Sequence, residues 1–339
     1  MNILVTGGAG YIGSHTCVRL LEAGHDVTVI DNLCNSSRIA LERVQELAGR
    51  RLRFVQGDIR SRDDLARAFE AGIEGVIHFA ALKAVGESCA QPLRYFDNNI
   101  GGTIALMQEM EARGVDRLVF SSSATVYGQP DRVPVLEDAP LRTTNPYGRT
   151  KLVMEQLIQD WCTARPQASA VLLRYFNPVG AHSSGRIGED PRGEPNNLMP
   201  YVTQVAVGRR DRLRVFGSDY PTPDGTGVRD YLHVMDLADA HVKAIGHAAK
   251  HAGCEAFNLG AGRGYSVLEV VAAFEQASGR RVPLEVVPRR AGDVAELTAD
   301  PHKANTVLGW RAEHGIAAMC ADAWRWQQSN PQGFDEGFR

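Results

Sequence analysis

The sequence predicts an α/β fold in which a doubly wound parallel sheet, with helices on both faces, is followed by a smaller α/β lobe. Three observations predict it. Short apolar runs alternate with helical patterns up to about residue 176, a glycine-rich turn joins the first run to the first helical pattern, and Pro, Gly and Asn then dominate residues 177–200 and 217–230. The chain has 339 residues, of which 44% are hydrophobic and 23% charged. That length suits one large lobe and one small lobe.

The composition excludes several classes of protein. A net charge of −3 and a pI near 6.4 provide no basic surface for nucleic acid. The six cysteines are scattered without a CxxC pair, which predicts neither a zinc ribbon nor a disulfide framework, and reduced thiols fit the cytosol. No stretch approaches about 18 consecutive apolar residues, and the first residues lack a basic leader segment. We therefore expect a soluble cytoplasmic protein that binds neither nucleic acid nor membrane.

The first strand, glycine turn and helix predict a dinucleotide site. Residues 2–6 are a continuous apolar run, and the turn that follows contains Gly7, Gly10 and Gly13 before a helical pattern that continues to residue 24. Glycines here allow a sharp turn and bring backbone amides against a pyrophosphate at the helix N-terminus. The second strand, residues 26–30, ends in Asp31, about 20 residues after Gly10, where an acid binds the ribose hydroxyls of NAD and disfavours NADP. The alternative is a simple turn followed by a solvated aspartate.

The alternation of strands and helices continues at a spacing typical of a parallel sheet. It predicts strands at residues 52–56, 75–79, 117–120 and 169–175, and helices near 39–47, 63–71, 92–113 and 146–163. Ligands bind such sheets at the carboxyl ends of the strands, which places Asp58, Phe79, Ala80 and Lys83 on the cofactor rim. His78 lies within a buried strand pattern and is interpreted as a core histidine.

The predicted chemistry lies at Tyr147 and Lys151. Asn145 and Pro146 are typical of a helix start. Positions i and i+4 lie about 6 Å apart along one helical face, so the Lys151 ammonium is expected to lower the pKa of the Tyr147 phenol and make it a base near neutral pH. Ser123 follows the 117–120 strand at the same edge of the sheet and is expected to hydrogen-bond a substrate hydroxyl beside the phenol. The alternative is a surface Tyr/Lys pair on an amphipathic helix.

Motifs along nearly the whole chain carry a family resemblance. They include GGAGYIGSH at residues 7–15, GDIR at 57–60, HFAALKAVGES at 78–88, SSSATVYG at 121–128, NPYGRTK at 145–151, LRYFNPVGAH at 173–182, NNLMPY at 196–201 and DGTGVRDYLHVMDLADAH at 224–241. With these motifs the sequence resembles the extended short-chain dehydrogenase/reductases, in particular the UDP-glucose 4-epimerase family.

The resemblance implies two sets of binding residues. Besides the three turn glycines, it implies that NAD is bound by Tyr11, Ile12, Asp31, Asn32, Asp58, Ile59, Phe79, Ala80, Lys83, Asn98, Ser121, Tyr147, Lys151, Tyr175 and Pro178. It assigns the UDP-sugar to Ser123, Tyr147, Asn177, Asn197, Leu198, Phe216, Arg229, Tyr231, Arg290 and Asp293. The guanidinium groups of Arg229 and Arg290 suit a pyrophosphate. Leu297 aligns with a family position beside the sugar's C2 and C6, which implies weaker activity on UDP-N-acetylhexosamines.

The implied reaction is the interconversion of UDP-glucose and UDP-galactose through a 4-keto sugar, with Tyr147 as base and NAD taking and returning the hydride. A 4,6-dehydratase of the same family is an alternative, but that branch carries an Asp-Glu pair where this chain has Ala124 and Thr125. A UDP-uronate 4-epimerase is a second alternative, because it differs in how the sugar's C6 end is held. An NAD-binding protein without activity would be expected to lack Tyr147 or Lys151.

The remaining expectations concern organisation. We expect an NAD-binding domain at residues 1–176, which includes the catalytic Tyr and Lys, and a mainly UDP-sugar-binding lobe at 177–339, with some chain returning to the large lobe. The resemblance also implies a homodimer formed by helices near 92–113 and 147–163. His241, His247 and His251 share a helical pattern without the glutamate of an HExxH site, and we interpret them as surface residues that bind no metal.

Overall fold

The structure is a computed structural model that describes residues 1–290 and 292–334. Its strands are β1 (Asn2–Thr6), β2 (Asp26–Asp31), β3 (Arg53–Gln56), β4 (Gly75–His78), β5 (Arg117–Ser121), β6 (Ser169–Tyr175), β7 (Asn177–Val179), β8 (Leu213–Phe216), β9 (Val228–His233), β10 (Gly253–Leu259), β11 (Gly264–Ser266), β12 (Leu284–Val287) and β13 (Glu296–Leu297). Seven of them form one sheet in the order β10-β6-β5-β4-β1-β2-β3. Every neighbouring pair in that sheet is parallel, which confirms the predicted fold class.

Helices cover both faces of this sheet. The helices of the described residues, which include those of the second lobe, are α1 (Tyr11–Glu22), α2 (Arg38–Ala48), α3 (Arg62–Phe69), α4 (Val85–Ala90), α5 (Pro92–Tyr95), α6 (Gly102–Ala112), α7 (Pro146–Ala164), α8 (Leu198–Ala206), α9 (Val234–Ala248), α10 (Val267–Ser278), α11 (His302–Val307) and α12 (Ile316–Ser329). The predicted strands of the first 176 residues all form, with bounds that differ from the prediction by a residue or two.

Alternation along β1 shows why the sheet is buried on both faces. Ile3 and Val5 belong to the apolar core formed with α1, α2 and α9, whereas Leu4, between them, belongs to the core formed with α3, α6 and α7. Successive side chains of a strand point to opposite faces, so a strand covered by helices on both sides must be apolar throughout. The continuous apolar runs of the sequence follow from this.

A second lobe contains two smaller sheets. One has the order β11-β9-β13, with β7 also paired to β9, and the other pairs β12 with β8. A third apolar core, with Val202, Phe274 and Met319, packs α8, α10 and α12 together. The chain returns to the large sheet through β10, which pairs with β6 in parallel. The division at residue 176 remains a prediction, and residues 291 and 335–339 of its second range lie outside the described residues.

The segment predicted as one helix at 92–113 is instead three consecutive pieces. A π-helical turn, Phe96–Gly101, separates α5 from α6, and the short α4 precedes them. Within this turn the Asn99 side chain accepts from the Leu82 amide at 2.8 Å and donates to the Leu82 carbonyl and the Thr150 hydroxyl, each at 3.0 Å. The helix is thereby tied to the loop after β4 and to α7, a tertiary constraint that local periodicity does not contain.

In the described part of the chain, no helix is both long enough and apolar enough to cross a membrane. All six cysteines lie in that part and are free thiols, of which Cys17, Cys162 and Cys320 are buried.

Candidate active site

A cavity of about 480 Å³ opens at the carboxyl ends of the large sheet's strands. Fifteen of the eighteen residues predicted to bind the cofactor line it: Gly7, Gly10, Tyr11, Ile12, Gly13, Asp31, Asn32, Ile59, Phe79, Ala80, Lys83, Asn98, Tyr147, Lys151 and Tyr175. Asp58, Ser121 and Pro178 lie outside the lining. The predicted topology therefore brings together residues that are far apart along the chain, from Gly7 to Tyr175.

The glycine turn packs closely against itself and against the residues after β4. Gly7 has φ +72°, and a Cβ there would lie 2.8 Å from the Ala80 amide nitrogen. A Cβ at Gly13 would lie 2.4 Å from the Gly7 carbonyl oxygen. Gly10, which precedes α1, provides no side chain to cap its first amides within the described structure. An uncapped helix N-terminus behind a glycine cradle fits a pyrophosphate.

Asp31 is fixed at the cavity wall by three donors. Its Oδ2 accepts from the Ala9 amide at 3.0 Å, and its Oδ1 accepts from the Leu33 amide at 2.9 Å and the Ser36 hydroxyl at 2.8 Å. A buried carboxylate held at the end of β2 fits the ribose hydroxyls of a dinucleotide. Together with the glycine cradle, this arrangement of residues fits NAD.

Asp58 occupies a position behind Asn32. Asn32 Nδ2 donates to Asp58 Oδ2 at 3.1 Å, and Arg60 donates to both carboxylate oxygens at 2.9 to 3.0 Å. The hydrogen bonds from Arg60 lower the pKa of Asp58 to about 2. Asp58 is thus a charged partner of Asn32 in this structure, and its predicted contact with the cofactor remains a prediction.

Helix α7 places Tyr147 and Lys151 at the floor of the cavity. As predicted, Asn145 caps this helix: its Oδ1 accepts from the Gly148 amide at 2.8 Å, and Pro146 occupies the first turn. Both Tyr147 and Lys151 are buried, and Ser123 lies close enough to the Tyr147 phenol to influence its pKa. Lys151 Nζ donates to the Ser121 carbonyl at 2.8 Å and lies 4.7 Å from the centre of the Phe120 ring. The structure therefore assembles the predicted Tyr, Lys and Ser at one point.

The predicted effect of Lys151 on Tyr147 is wrong for the chain by itself. Burial raises the pKa of the Tyr147 phenol well above its ordinary value, and the nearby Tyr175 raises it further, while the neighbouring Ser123 lowers it. Burial also lowers the pKa of Lys151 to about 7, opposed by the Glu155 carboxylate. Desolvation disfavours both charged forms, and i,i+4 spacing alone does not reveal how deeply a side chain is buried.

Two histidine interpretations have different outcomes. His78 is a core residue, as predicted: its Nδ1 pairs with the Thr6 hydroxyl at 2.7 Å and its Nε2 with the Thr103 hydroxyl at 3.0 Å. The surface interpretation is wrong for His241, which is fully buried, with its ring 4.6 Å from that of Phe79. The reason is that α9 packs closely against α1 and lies over β5 and β6, so that this face of α9 is inside the large lobe.

Arg229 joins two groups of predicted UDP-sugar residues in the second lobe. Arg290 donates to Asp293 at 3.0 and 3.2 Å, and Arg229 approaches the same carboxylate at 3.9 Å. The Arg290 guanidinium also lies 5.6 Å from the Phe216 ring centre. The other group lies on β9 and its two neighbouring strands. Residue 177 on β7 is paired with residue 231, and residue 297 on β13 is paired with residue 229. Their contact with a ligand remains a prediction.

Asn197 and Leu198 lie at the start of α8. Asn197 contacts residues 188–193, a segment of the site that was not predicted from the sequence. Asn197 Nδ2 donates to Glu189 Oε1 at 2.9 Å, and Lys83 Nζ reaches the same oxygen at 3.3 Å. Arg192 donates to the Ser36 carbonyl at 2.9 Å. Residues 188–193 thus line the cavity from the second lobe. The only sequence signal for them was a long Pro- and Gly-rich loop, a kind of segment that is often functional.

A buried ion pair below the site was also missed. Arg174 on β6 and Glu155 on α7 are in contact at 2.7 Å, with side chains 7% and 4% exposed. Charged residues inside an apolar strand pattern and on a buried helical face are the signal that could have identified them.

Comparisons with known proteins agree with this geometry. The model of the NAD dependent epimerase/dehydratase family matches residues 3–260. A UDP-glucose 4-epimerase from Bacillus subtilis (strain 168) is 59% identical over 335 residues, which cover 98% of this chain and 99% of that protein. A UDP-glucose 4-epimerase from Dictyostelium discoideum is 56% identical over 336 residues, 98% of each chain.

A solved structure is similar over its whole length. The crystal structure of UDP-glucose 4-epimerase from Bifidobacterium longum in complex with NAD⁺ and UDP has a TM-score of 0.96 and 51% sequence identity. The similarity covers 98% of this chain and 100% of that chain.

Proposed function

The chain belongs to the NAD-dependent epimerase/dehydratase family, and from that premise we propose that it interconverts UDP-glucose and UDP-galactose with NAD as its cofactor. The observation that carries the proposal is the meeting of Tyr147, Ser123 and Lys151 at the floor of a cavity lined by the glycine turn and Asp31. Relatives 55–59% identical over nearly the whole chain bear the name UDP-glucose 4-epimerase.

The chain's residues bind the cofactor and move one proton. The amides at the start of α1 and the glycine cradle would hold the pyrophosphate, Asp31 the adenosine ribose hydroxyls, and Lys151 the nicotinamide ribose. When bound, NAD supplies the acceptor that takes the hydride from sugar C4 and returns it. Tyr147 accepts the proton of the C4 hydroxyl through its phenolic oxygen and later gives it back, while Ser123 orients that hydroxyl.

The uridine diphosphate anchors the substrate. Arg229 and Arg290 share the single carboxylate of Asp293, so one positive charge is left for a pyrophosphate, and Phe216 offers an exposed ring beside them. Affinity concentrated on the nucleotide leaves the 4-keto hexose free to turn its other face to the hydride donor. Net oxidation is zero because the hydride lost from C4 is the one regained.

The structure disfavours elimination chemistry at this site. The dehydratase branch of the family carries an Asp-Glu pair at positions 124 and 125. Here Thr125 donates through its Oγ1 to Ser123 Oγ at 3.0 Å. Its partner position is Ala124, which packs in an apolar cluster with Val126 and Phe176. Neither side chain can exchange protons at C5 or C6 of a sugar as a carboxylate would.

We further propose a cytoplasmic homodimer. Leu93 is 83% exposed and Ile104 is 40% exposed, both within residues 92–113 that the dimer prediction names, and Val85 on the preceding α4 is 42% exposed. Burial of these side chains against a second copy would remove an apolar surface from water. Reduced thiols support the location, and the proposed division between the NAD and UDP-sugar domains stays at residue 176.

The test is NMR of UDP-galactose incubated with purified protein and no added cofactor. We expect UDP-glucose to appear and NAD to be released when the protein is denatured in acid. Accumulation of a 4-keto-6-deoxy sugar would favour the dehydratase, and turnover confined to UDP-glucuronate would favour the uronate epimerase. The proposal is wrong if neither nicotinamide nor turnover is found even after NAD is supplied.

A further inference from the structure

Glu155 lies one helical turn after Lys151 on α7, and its carboxylate is fully engaged inside the protein. Arg174 donates to it through Nε at 3.1 and 3.2 Å and through Nη2 at 2.7 Å. The Ser122 hydroxyl donates to Oε1 at 2.5 Å. A buried ion pair is weak evidence for stability, because desolvation of two charges offsets much of their attraction. Its place beside the reactive residues therefore calls for a functional explanation.

Ser122 is the middle residue of the segment that receives both reactive side chains. The carbonyl of Ser121 accepts a hydrogen bond from the Lys151 ammonium at 2.8 Å, and Ser123 lies beside the Tyr147 phenol. The Ser122 amide donates to the Leu173 carbonyl at 2.9 Å, so that this residue is bound to β6 through its backbone and to Glu155 through its side chain. Glu155 thus holds the segment at its centre.

Arg174 connects Glu155 to the rest of the large lobe. Its Nη1 donates to the Tyr127 hydroxyl and to the Glu137 carbonyl, each at 3.0 Å. The Tyr127 hydroxyl donates in turn to Asn258 Oδ1 at 2.6 Å, and both of these side chains are fully buried. A fully satisfied buried network of this kind fixes the position of each member.

Glu155 is also the anion that acts on Lys151. Burial lowers the pKa of Lys151 to about 7, and the Glu155 carboxylate raises it. His78, on β4, is neutral near pH 7, because burial and Lys151 lower its pKa to about 3. Tyr147 on α7 and Tyr175 on β6 are neutral too, since burial raises the pKa of both phenols. The neighbouring Cys162 thiol and burial raise the pKa of Cys254, on β10 near Glu155, so that this thiol stays protonated.

We propose that Glu155 is a positioning residue of the reaction, which holds residues 121–123 in place for Tyr147 and, as the buried anion one helical turn away, favours the charged form of Lys151. The proposal rests on the proposed function, in which a charged Lys151 assists Tyr147. Glu155 lies outside the lining of the cavity and acts through Ser122 and Lys151.

The test is the pH profile of turnover on UDP-galactose, measured with the purified NAD-loaded protein and its variants. Glu155→Gln keeps the side-chain shape and removes the charge, so Lys151 loses its proton more easily. We expect the alkaline limb of the profile to shift to lower pH by about 1 unit, with KM for UDP-galactose little changed. Arg174→Gln leaves the Glu155 charge uncompensated, and we expect the alkaline limb to shift to higher pH.

Two further variants separate position from charge. Ser122→Ala removes the hydrogen bond between residues 121–123 and Glu155 without changing any charge, so turnover should fall about tenfold or more while the limb stays where it is. Asp160→Asn, an exposed carboxylate on the same helix, is the matched control and should leave both quantities unchanged. A merely structural role for Glu155 would lower thermal stability without moving any limb.

A folded Glu155→Gln protein whose profile coincides with that of the wild type would overturn the proposal. Where Glu155→Gln does not fold, an unmoved limb in Arg174→Gln together with unchanged turnover in Ser122→Ala overturns it equally. A wild-type protein without activity on UDP-galactose contradicts the proposed function itself, whereas an active wild type with unaffected variants contradicts only the role of Glu155.

Discussion

At the scale of single residues, the chain by itself makes Tyr147 a poor base. Burial raises the pKa of its phenol, and within the chain the neighbouring Ser123 opposes this rise. Positive charge near the phenolate must therefore stabilise it during turnover: that of Lys151 and that of the oxidised nicotinamide when NAD is bound. The spacing of Tyr147 and Lys151 was predicted from the sequence, but the sign of the pKa shift was not, because desolvation is a property of the packed protein.

Tyr147→Phe tests the role of the phenol. The change removes the proton acceptor and leaves the ring, so turnover should fall by about 10² or more while UDP binding changes little. Steady-state kinetics with UDP-galactose and calorimetric titration with UDP measure the two quantities. Tyr95→Phe is a matched control, since Tyr95 is a buried phenol whose hydroxyl is bonded to Glu87 outside the lining of the cavity. Near wild-type turnover in Tyr147→Phe would assign the base elsewhere.

Leu297 is the residue for which we predict substrate breadth. It packs at the edge of the apolar cluster that contains Phe176 and Ala124. Ala124 directly follows Ser123 in the chain. Leucine leaves more space than a tyrosine but less than a serine, and overpacking costs about 1 to 3 kcal/mol. We expect weak turnover of UDP-N-acetylglucosamine that Leu297→Ser raises and Leu297→Tyr abolishes, measured as kcat/KM on both substrates. An N-acetyl activity that neither variant changes would show that this residue does not limit the pocket.

At the scale of elements, the glycine turn and α7 were predictable because their signals are local. A strand, three spaced glycines and a helix specify their own geometry, and Asn145 with Pro146 specifies a helix start. The π-helical turn at Phe96–Gly101 was not predictable, because Asn99 is held by partners at Leu82 and Thr150 that are distant along the chain. The Glu155 and Arg174 pair was missed for the same reason.

Gly13→Ala tests the turn. A Cβ at this position would lie 2.4 Å from the Gly7 carbonyl oxygen and 2.8 Å from the Gly8 Cα, and backbone atoms cannot yield as a flexible side chain does. We expect loss of bound NAD and a destabilisation of at least about 1 to 3 kcal/mol. Gly246→Ala, where a Cβ meets nothing within 4 Å on a helix, is the control and should be neutral or stabilising. Retention of the full NAD content by Gly13→Ala would contradict the assignment of the cradle.

At the scale of the whole molecule, the alternation of patterns predicted the parallel sheet but not its edge. The sheet ends in β10, which enters it from the second lobe, and nothing in the local sequence of residues 253–259 identifies β6 as its partner. Strand pairing between distant segments depends on tertiary packing. The second lobe was predictable only as a change of composition, since its cores are assembled from short elements.

Three buried histidines predict an acid-sensitive fold. Burial lowers the pKa of His15 and His78 to about 3 and that of His241 to about 4, against an unfolded value of 6.5. The unfolded chain therefore binds more protons below pH 6.5, so stability is full above that pH and is lost as the pH falls toward the folded values. Each histidine should cost about 2 kcal/mol between pH 7 and pH 5.

Urea denaturation at pH 7 and pH 5 measures this effect. We expect a clear decrease of the unfolding midpoint at pH 5, a smaller decrease in His78→Gln, and the wild-type decrease in the exposed His251→Gln control. Equal midpoints at the two pH values would show that these imidazoles do not control acid stability.

The most direct test of the account follows the hydrogen at sugar C4. UDP-galactose deuterated at C4 is incubated with the purified protein in ordinary water, and the UDP-glucose formed is analysed by mass spectrometry and NMR. If Tyr147 moves only the hydroxyl proton and bound NAD takes and returns the hydride, the product keeps its deuterium at C4. Loss of deuterium to solvent, or its appearance at another carbon, would contradict this assignment of roles.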